Sequence, residues 1–358
     1  MTLRILGRYH RRRGRVAEAE AELRRAMEMA ERIGDPVTRG WAMVYLGPLL
    51  RADGGRVGLA LLERGLEVAR EAKDLPLLAA AYVELSEAFE EVVGDYPRAE
   101  ALMREGIEVA RRAGSLANTA WMEGNLSDYL IDMGRLEEAE RLAQSALRAA
   151  RTVGESLRIA YCLSTISHLD LMRGNIEPAE RALDEVRSIV RGSPDPYAEG
   201  WVSFLGGLIA KAKGDQAGAL RILVEGARTL GDRVEVWGGQ NLLLESVRTL
   251  ALTGRNDEAA QFRGQLERMG QTSVPARAFQ AWADGVLEPD RVKARDLLED
   301  AARRMEALGR KIDLGRCLID LATAERKVGD NPAPILARAR AILSSCGAVV
   351  FLSDAATA

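Results

Sequence analysis

Histidine, cysteine, lysine and aromatic side chains are all scarce in this 358-residue chain, and each scarcity removes a class of function. The two histidines, His10 and His168, stand far apart, and neither has a cysteine at metal-ligand spacing, so no metal site is expected. The three cysteines, Cys162, Cys317 and Cys346, form no Cys-x-x-Cys pair, which argues against structural zinc or a disulfide framework and fits a reducing cytoplasm. Lysine numbers 6 against 44 arginines, and the arginines alternate with glutamates as on solvated helix faces. A formal net charge of -3 supplies no field that would draw in nucleic acid or an anionic membrane. No apolar run reaches membrane-spanning length, and residues 1 to 14 lack the apolar stretch of a secretory signal. Phosphate-binding, dinucleotide-binding, serine-hydrolase and His-Glu-x-x-His motifs are all missing. No enzyme activity and no cofactor are therefore expected.

What is present is a phrase repeated at a fixed interval. Gly14, Gly54, Gly94, Gly134, Gly174, Gly214 and Gly254 each lie 40 residues from the next. Five residues after each comes a small or apolar residue: Ala19, Leu59, Ala99, Ala139, Ala179, Ala219 or Ala259. With a hydrophobic content of 47% but only 5% aromatics, and with Ala, Leu, Arg and Glu dominant, this spacing specifies a helical repeat array. Within one period, Val16, Ala19, Leu23, Ala26, Met27 and Ala30 make the buried stripe of one helix. Gly34 then suits a helix C-cap, and Asp35-Pro36 suits the N-cap and first turn of the next. One repeat reads helix, turn, helix, turn.

Further helices are predicted near 37–52, 56–73, 77–93, 96–113, 116–133 and 136–153, in two pairs over 156–190 and 197–230, and over 335–345. The motif Ser193-Pro194-Asp195-Pro196 is the stiffest punctuation between pairs. Beyond Gly254 the register slips: Pro289 stands where glycine is due, with Ala294 five residues later, so the unit there is shortened. Gly329 resumes the interval. The expectation is an all-α, right-handed superhelical solenoid of about nine stacked antiparallel helix pairs over residues 1–347. An apolar tail, 348–358, is expected to fold back on the last pair, because Ala348 to Leu352 is too apolar to be left in water.

On these residues the chain resembles the tetratricopeptide repeat family. Leu6, Gly7, Gly14, Ala19, Leu23 and Ala26 fall at the family's signature offsets, and Leu46, Gly47 and Gly54 repeat the first part. Where the family places a tyrosine four residues before the turn glycine, this chain has His10, Leu50, Glu90, Leu130 and Asp170, and its period exceeds the family's 34 residues. The longer period, with the ending from Ala337 to Leu352, looks like the repeat arms of bacterial ATP-binding LuxR-type regulators and of cyclases with an attached ATPase. The resemblance implies a concave face, lined by the first helix of each pair, that binds a protein or peptide partner. It implies as the alternative a ligand-sensing arm of a larger bacterial regulator, since the first unit begins part-way through a helix and leaves room for an N-terminal regulatory module.

On those first helices, the position 13 before the turn glycine carries Trp41, Trp121, Tyr161 and Trp201, and seven residues later come Asp128, His168 and Arg248. Heptad spacing places both rows on one helical face. They read either as a groove with an aromatic wall and polar floor or as plugs between adjacent repeats. Glu84, Glu87 and Glu91, at i, i+3 and i+7, form an acidic face, suited to a basic partner, to a weakly held cation or simply to water. Arg8, Arg11, Arg12, Arg13 and Arg15 are the one concentrated basic patch. His168 beside Asp170 carries no acid–base chemistry, because residues two apart point to different helix faces.

Overall fold

The computed structural model describes residues 15–50, 55–193, 195–231 and 239–357. Leu6, Gly7, His10, Gly14, Gly54, Pro194 and the arginines from Arg8 to Arg13 lie outside these residues. The fold is all-α, built of antiparallel helix pairs, with no strand among the described residues. None of the described helices is long and apolar enough to cross a membrane. Two compact units divide the chain, residues 1–123 and 124–358.

Unit 1 contains α1 (Val16–Ile33), α2 (Pro36–Leu46), α3 (Arg56–Ala72), α4 (Leu75–Ala88), α5 (Tyr96–Arg112) and the first part of α6 (Leu116–Asp132). Unit 2 continues with α7 (Leu136–Val153), α8 (Ser156–Met172), α9 (Ile176–Gly192), α10 (Pro196–Ala212), α11 (Gln216–Leu230), α12 (Gly239–Leu252) and α13 (Asn256–Gly270). It closes with α14 (Val274–Leu287), α15 (Arg291–Ala307), α16 (Lys311–Val328), α17 (Ala333–Cys346) and the one-turn α18 (Asp354–Thr357).

The joints follow from local chemistry. Gly34 takes a left-handed conformation at φ 68°, and the Asp35 carboxylate then accepts the Thr38 N–H at 3.0 Å, with Pro36 in the first turn of α2. The same aspartate cap recurs at Asp74, Asp95, Asp195 and Asp215. Two predicted helices end differently. The α-helical part of α2 stops at Leu46 and passes into a tighter 3-10 turn, Gly47–Leu49, because Pro48 has no N–H to donate to the preceding turn. At the end of α4 a π-helical turn, Phe89–Val93, widens the backbone before Gly94.

Each second helix packs through small side chains. On α7, Ala139, Ala143, Ala146 and Ala150 are all completely buried, which lets neighbouring backbones approach closely. Seven residues before the turn glycine several first helices carry a small residue as well, and two of these are serines with the same role. Ser127 donates to the Ala139 carbonyl at 2.7 Å, and Ser167 to the Ala179 carbonyl at 2.8 Å. In the second repeat, where the matching position holds the larger Leu59, the close contact is made by Gly58. A β-carbon there would stand 2.3 Å from the Gly47 carbonyl oxygen, while Leu59 is only half-buried.

Within unit 2 the last pair meets the first. The Arg310 guanidinium reaches Asp132 at 2.7 Å, and Cys346 lies so close to Gly134 that a β-carbon on the glycine would fall 2.2 Å from its sulfur. The segment after α17 buries Ala348, Phe351 and Ala355. It also reaches further: its 3-10 turn, Val349–Phe351, packs against α8.

Candidate binding surface

The two rows of candidate residues are distributed over both units, and most of them make packing contacts. In unit 1, Trp41 stacks at 5.4 Å on Tyr45, beside a buried cluster of Ala19, Leu23, Tyr45, Leu46 and Leu49. Trp121 is half-buried in the first part of α6. The acidic face of α4 is not simply solvated. Glu84 is buried, and so is Glu90 within the π-helical turn. One carboxylate oxygen of Glu91 is enclosed without a hydrogen-bond partner.

In unit 2, the Tyr161 hydroxyl donates to Asp195 at 3.0 Å, the same carboxylate that caps α10, and its ring meets Tyr197 edge-on at 4.8 Å. Trp201 packs on His168 at 5.5 Å and on Phe204 at 5.7 Å. Burial holds the His168 imidazole down to a pKa of about 4, so it is neutral at pH 7 and carries no charge toward a partner. Burial likewise pushes the Asp128 carboxyl well above its usual range, with the neighbouring Thr165 side chain opposing the shift only in part.

Arg248 opens onto something the sequence did not indicate: a charge network between α12 and α16. Its guanidinium holds Asp320 through two bonds, 2.7 and 2.9 Å, and Glu245 at 2.9 Å. Glu245 also receives Lys211 at 2.9 Å and Arg316. From there the chain of opposite charges runs through Arg316, Asp313 and Arg310 to Asp132. The buried Trp282 indole donates to Asp320 at 2.8 Å. Burial alone would raise the Glu245 pKa, but the positive charges of Arg316, Lys211 and Arg248 hold it well below the usual carboxylate range. Asp132 goes the other way. Burial and the charge of Asp313 outweigh Arg310 and raise it to about 7.

Arg310, Asp313, Arg316 and Asp320 lie three to four residues apart, so they form one stripe of alternating sign on α16. That stripe is visible in the sequence. Its partners are not, because Arg248 and Asp320 are 72 residues apart and Asp132 and Arg310 are 178 apart. The outcome is that α16 and the 348–355 segment occupy the inner face of unit 2, where they meet Asp132 at the end of α6, the end of α8, and α12. Among the described residues no group of histidine, cysteine or carboxylate side chains is arranged to hold a metal ion.

Profiles of the tetratricopeptide repeat match residues 118–192 and 1–33. No curated protein sequence matches the chain. Among solved structures, a Rap protein complexed with Competence and Sporulation Factor aligns with a TM-score of 0.68 at 14% identity, over 96% of this chain and 97% of that one. Aspartyl phosphate phosphatase F from Bacillus subtilis gives 0.55 at 13% identity, over 95% and 93%. The apo form of the quorum sensor NprR from B. thuringiensis gives 0.53 at 12% identity, over 96% and 98%. At these identities the likeness is one of fold.

Proposed function

Because residues 118–192 and 1–33 are tetratricopeptide repeats, we propose that the chain is an interaction scaffold that takes a peptide or helix of a partner protein on the inner faces of its first helices. The observation that carries this reading is the self-contact in unit 2. There Arg248 and Glu245 of α12 already pair with Asp320 and Arg316 of another helix, α16, and α8 meets a short 3-10 turn, Val349–Phe351. A surface that holds these two shapes from its own chain has the chemistry to hold them from another. Similar folds support it: one relative by fold is bound to Competence and Sporulation Factor, and another is a quorum sensor.

Within this reading Trp41, Trp121 and Glu91 of unit 1 and, separately, Tyr161, Asp128 and Arg248 of unit 2 present part-buried side chains, while the buried Glu84, Trp201 and His168 hold those positions from within. The chain itself needs no cofactor and performs no reaction; its work is in the cytoplasm, through the partner it holds.

The test is a selection of random displayed peptides against the full chain, followed by binding measurements on the winners. Micromolar or tighter peptides that lose at least tenfold in affinity with Tyr161→Ala or Asp128→Asn, and nothing with the outer-helix change Arg148→Ala, support the reading. Failure to select any binder, or binding that only Arg148→Ala weakens, refutes it.

A further inference from the structure

The segment Ala348–Ala355 has the form of a ligand rather than of a repeat. It consists of a three-residue 3-10 turn and the start of a one-turn helix, neither with a hydrophobic stripe of its own. Phe351 is nevertheless only 6% exposed, its ring 4.5 Å from the Arg316 guanidinium carbon. A cation over an aromatic face is a common way to seat such a side chain. Val349 lies alongside Gly174, at the end of α8, while Ala348 and Ala355 are fully buried. Asp354 lies within electrostatic reach of Arg248, Arg316 and Lys211, the cations of the inner network. Hydrogen bonds from the Ala348 N–H to the Leu343 carbonyl and from the Arg340 guanidinium to the Ala355 carbonyl tie the segment to α17.

Release of the segment would leave the network intact. Arg316 keeps Glu245 and Asp313, and Arg248 keeps Asp320. The last pair also keeps its own buried contacts through Leu336, Ala339 and Leu343. Short elements without a stripe of their own open more easily than the helices they rest on.

We propose that residues 348–355 are a built-in occupant of the unit 2 inner face, and that a partner peptide enters there by displacing them. The partner's chemistry is set by what it replaces: an apolar run anchored by an aromatic residue, with a carboxylate three residues after that aromatic, as Phe351 and Asp354 stand in this chain. This rests on the scaffold reading and narrows it to one sequence class.

The probe is a fluorescein-labelled synthetic peptide of residues 348–358, titrated against the full chain and against full-length Phe351→Ala. The expected result is at least tenfold tighter binding to Phe351→Ala, where the internal copy has lost its anchor, and loss of binding when the peptide itself carries alanine in place of phenylalanine. Equal affinity for the two proteins, or no binding to a folded Phe351→Ala, overturns the proposal. Hydrogen exchange on the unaltered chain tests it without any substitution. Amides of 349–355 should exchange at least tenfold faster than those of α16, and exchange in step with α16 would overturn it. If peptides from the random selection bind but are not displaced by the 348–358 peptide, the scaffold reading stands and this inference fails; if no peptide of either kind binds, the scaffold reading fails.

Discussion

Asp320→Ala is the sharpest perturbation of unit 2. Asp320 holds Arg248 through two bonds of 2.7 and 2.9 Å and accepts the Trp282 indole at 2.8 Å. Removing the carboxylate leaves the buried indole N–H without its acceptor, which costs roughly 1–3 kcal/mol. It also leaves Arg248 with Glu245 as its remaining carboxylate. Breaking a fully buried ion pair from one side costs about 3–5 kcal/mol. The side chains of Arg248 and Asp320 are 15% and 23% exposed, so this contribution belongs at its lower end. The sum is a loss of about 4 kcal/mol, read by urea unfolding followed through near-ultraviolet circular dichroism. Asp320→Asn keeps an acceptor for the indole and should lose about half as much. The control is Glu225→Ala, which removes an exposed pair with Arg221 at 3.9 Å and should cost less than about 1 kcal/mol. If Asp320→Ala unfolds within about 1 kcal/mol of Glu225→Ala, the network contributes no more than a surface pair, and α16 is not held to α12 by its charges.

Three further outcomes follow from single positions. Gly134→Ala places a methyl into Cys346 on a backbone at φ 75°, whereas Gly154→Ala, at φ 77°, meets nothing within 4 Å. Urea unfolding should show the first losing about 2–4 kcal/mol and the second about 1, since only the first adds overpacking to the left-handed penalty. Ser127→Ala removes the hydroxyl that satisfies the buried Ala139 carbonyl and should cost about 1 kcal/mol in the same assay, whereas no loss would show the bond to be dispensable. The pH dependence of stability should separate native protein from His168→Gln. Free histidine titrates near 6.5, but folded His168 is held down to about 4, so the unfolded chain takes up its proton first as pH falls. The neutral imidazole's stabilisation is complete above pH 6.5 and is lost as pH drops toward 4. Between pH 7 and pH 5 the native chain should therefore lose about 2 kcal/mol relative to His168→Gln. Parallel stability curves would place His168 in water.

The helix pairs were legible because their causes are local. A left-handed glycine, an aspartate cap two or three residues before the cap's target and an alanine at the close contact recur at a fixed interval, and each acts within one turn. The misread details are also local. Pro48 ends the α-helical part of α2 early, because the repeat interval counts residues and not the turn geometry between them. The interior of unit 2 was legible only by half. Trp201, His168 and Arg248 all make contacts within unit 2, but what they meet depends on the curvature summed over several pairs. A small change of angle per pair decides whether α16 faces solvent or Arg248, and no residue pattern encodes that sum. The alternating stripe Arg310, Asp313, Arg316, Asp320 was the one available signal, since charges on a helical stripe imply either water or opposite charges.

Whether the inner face of unit 2 receives peptides is tested most directly by competition on the unaltered protein. A peptide taken from random selection against the full chain is labelled, bound, and challenged with unlabelled 348–358 peptide and with the same peptide carrying alanine for Phe351. Displacement by the first is expected, with at least tenfold weaker displacement by the second. Selection of no binder from the random library would contradict the scaffold function at its root.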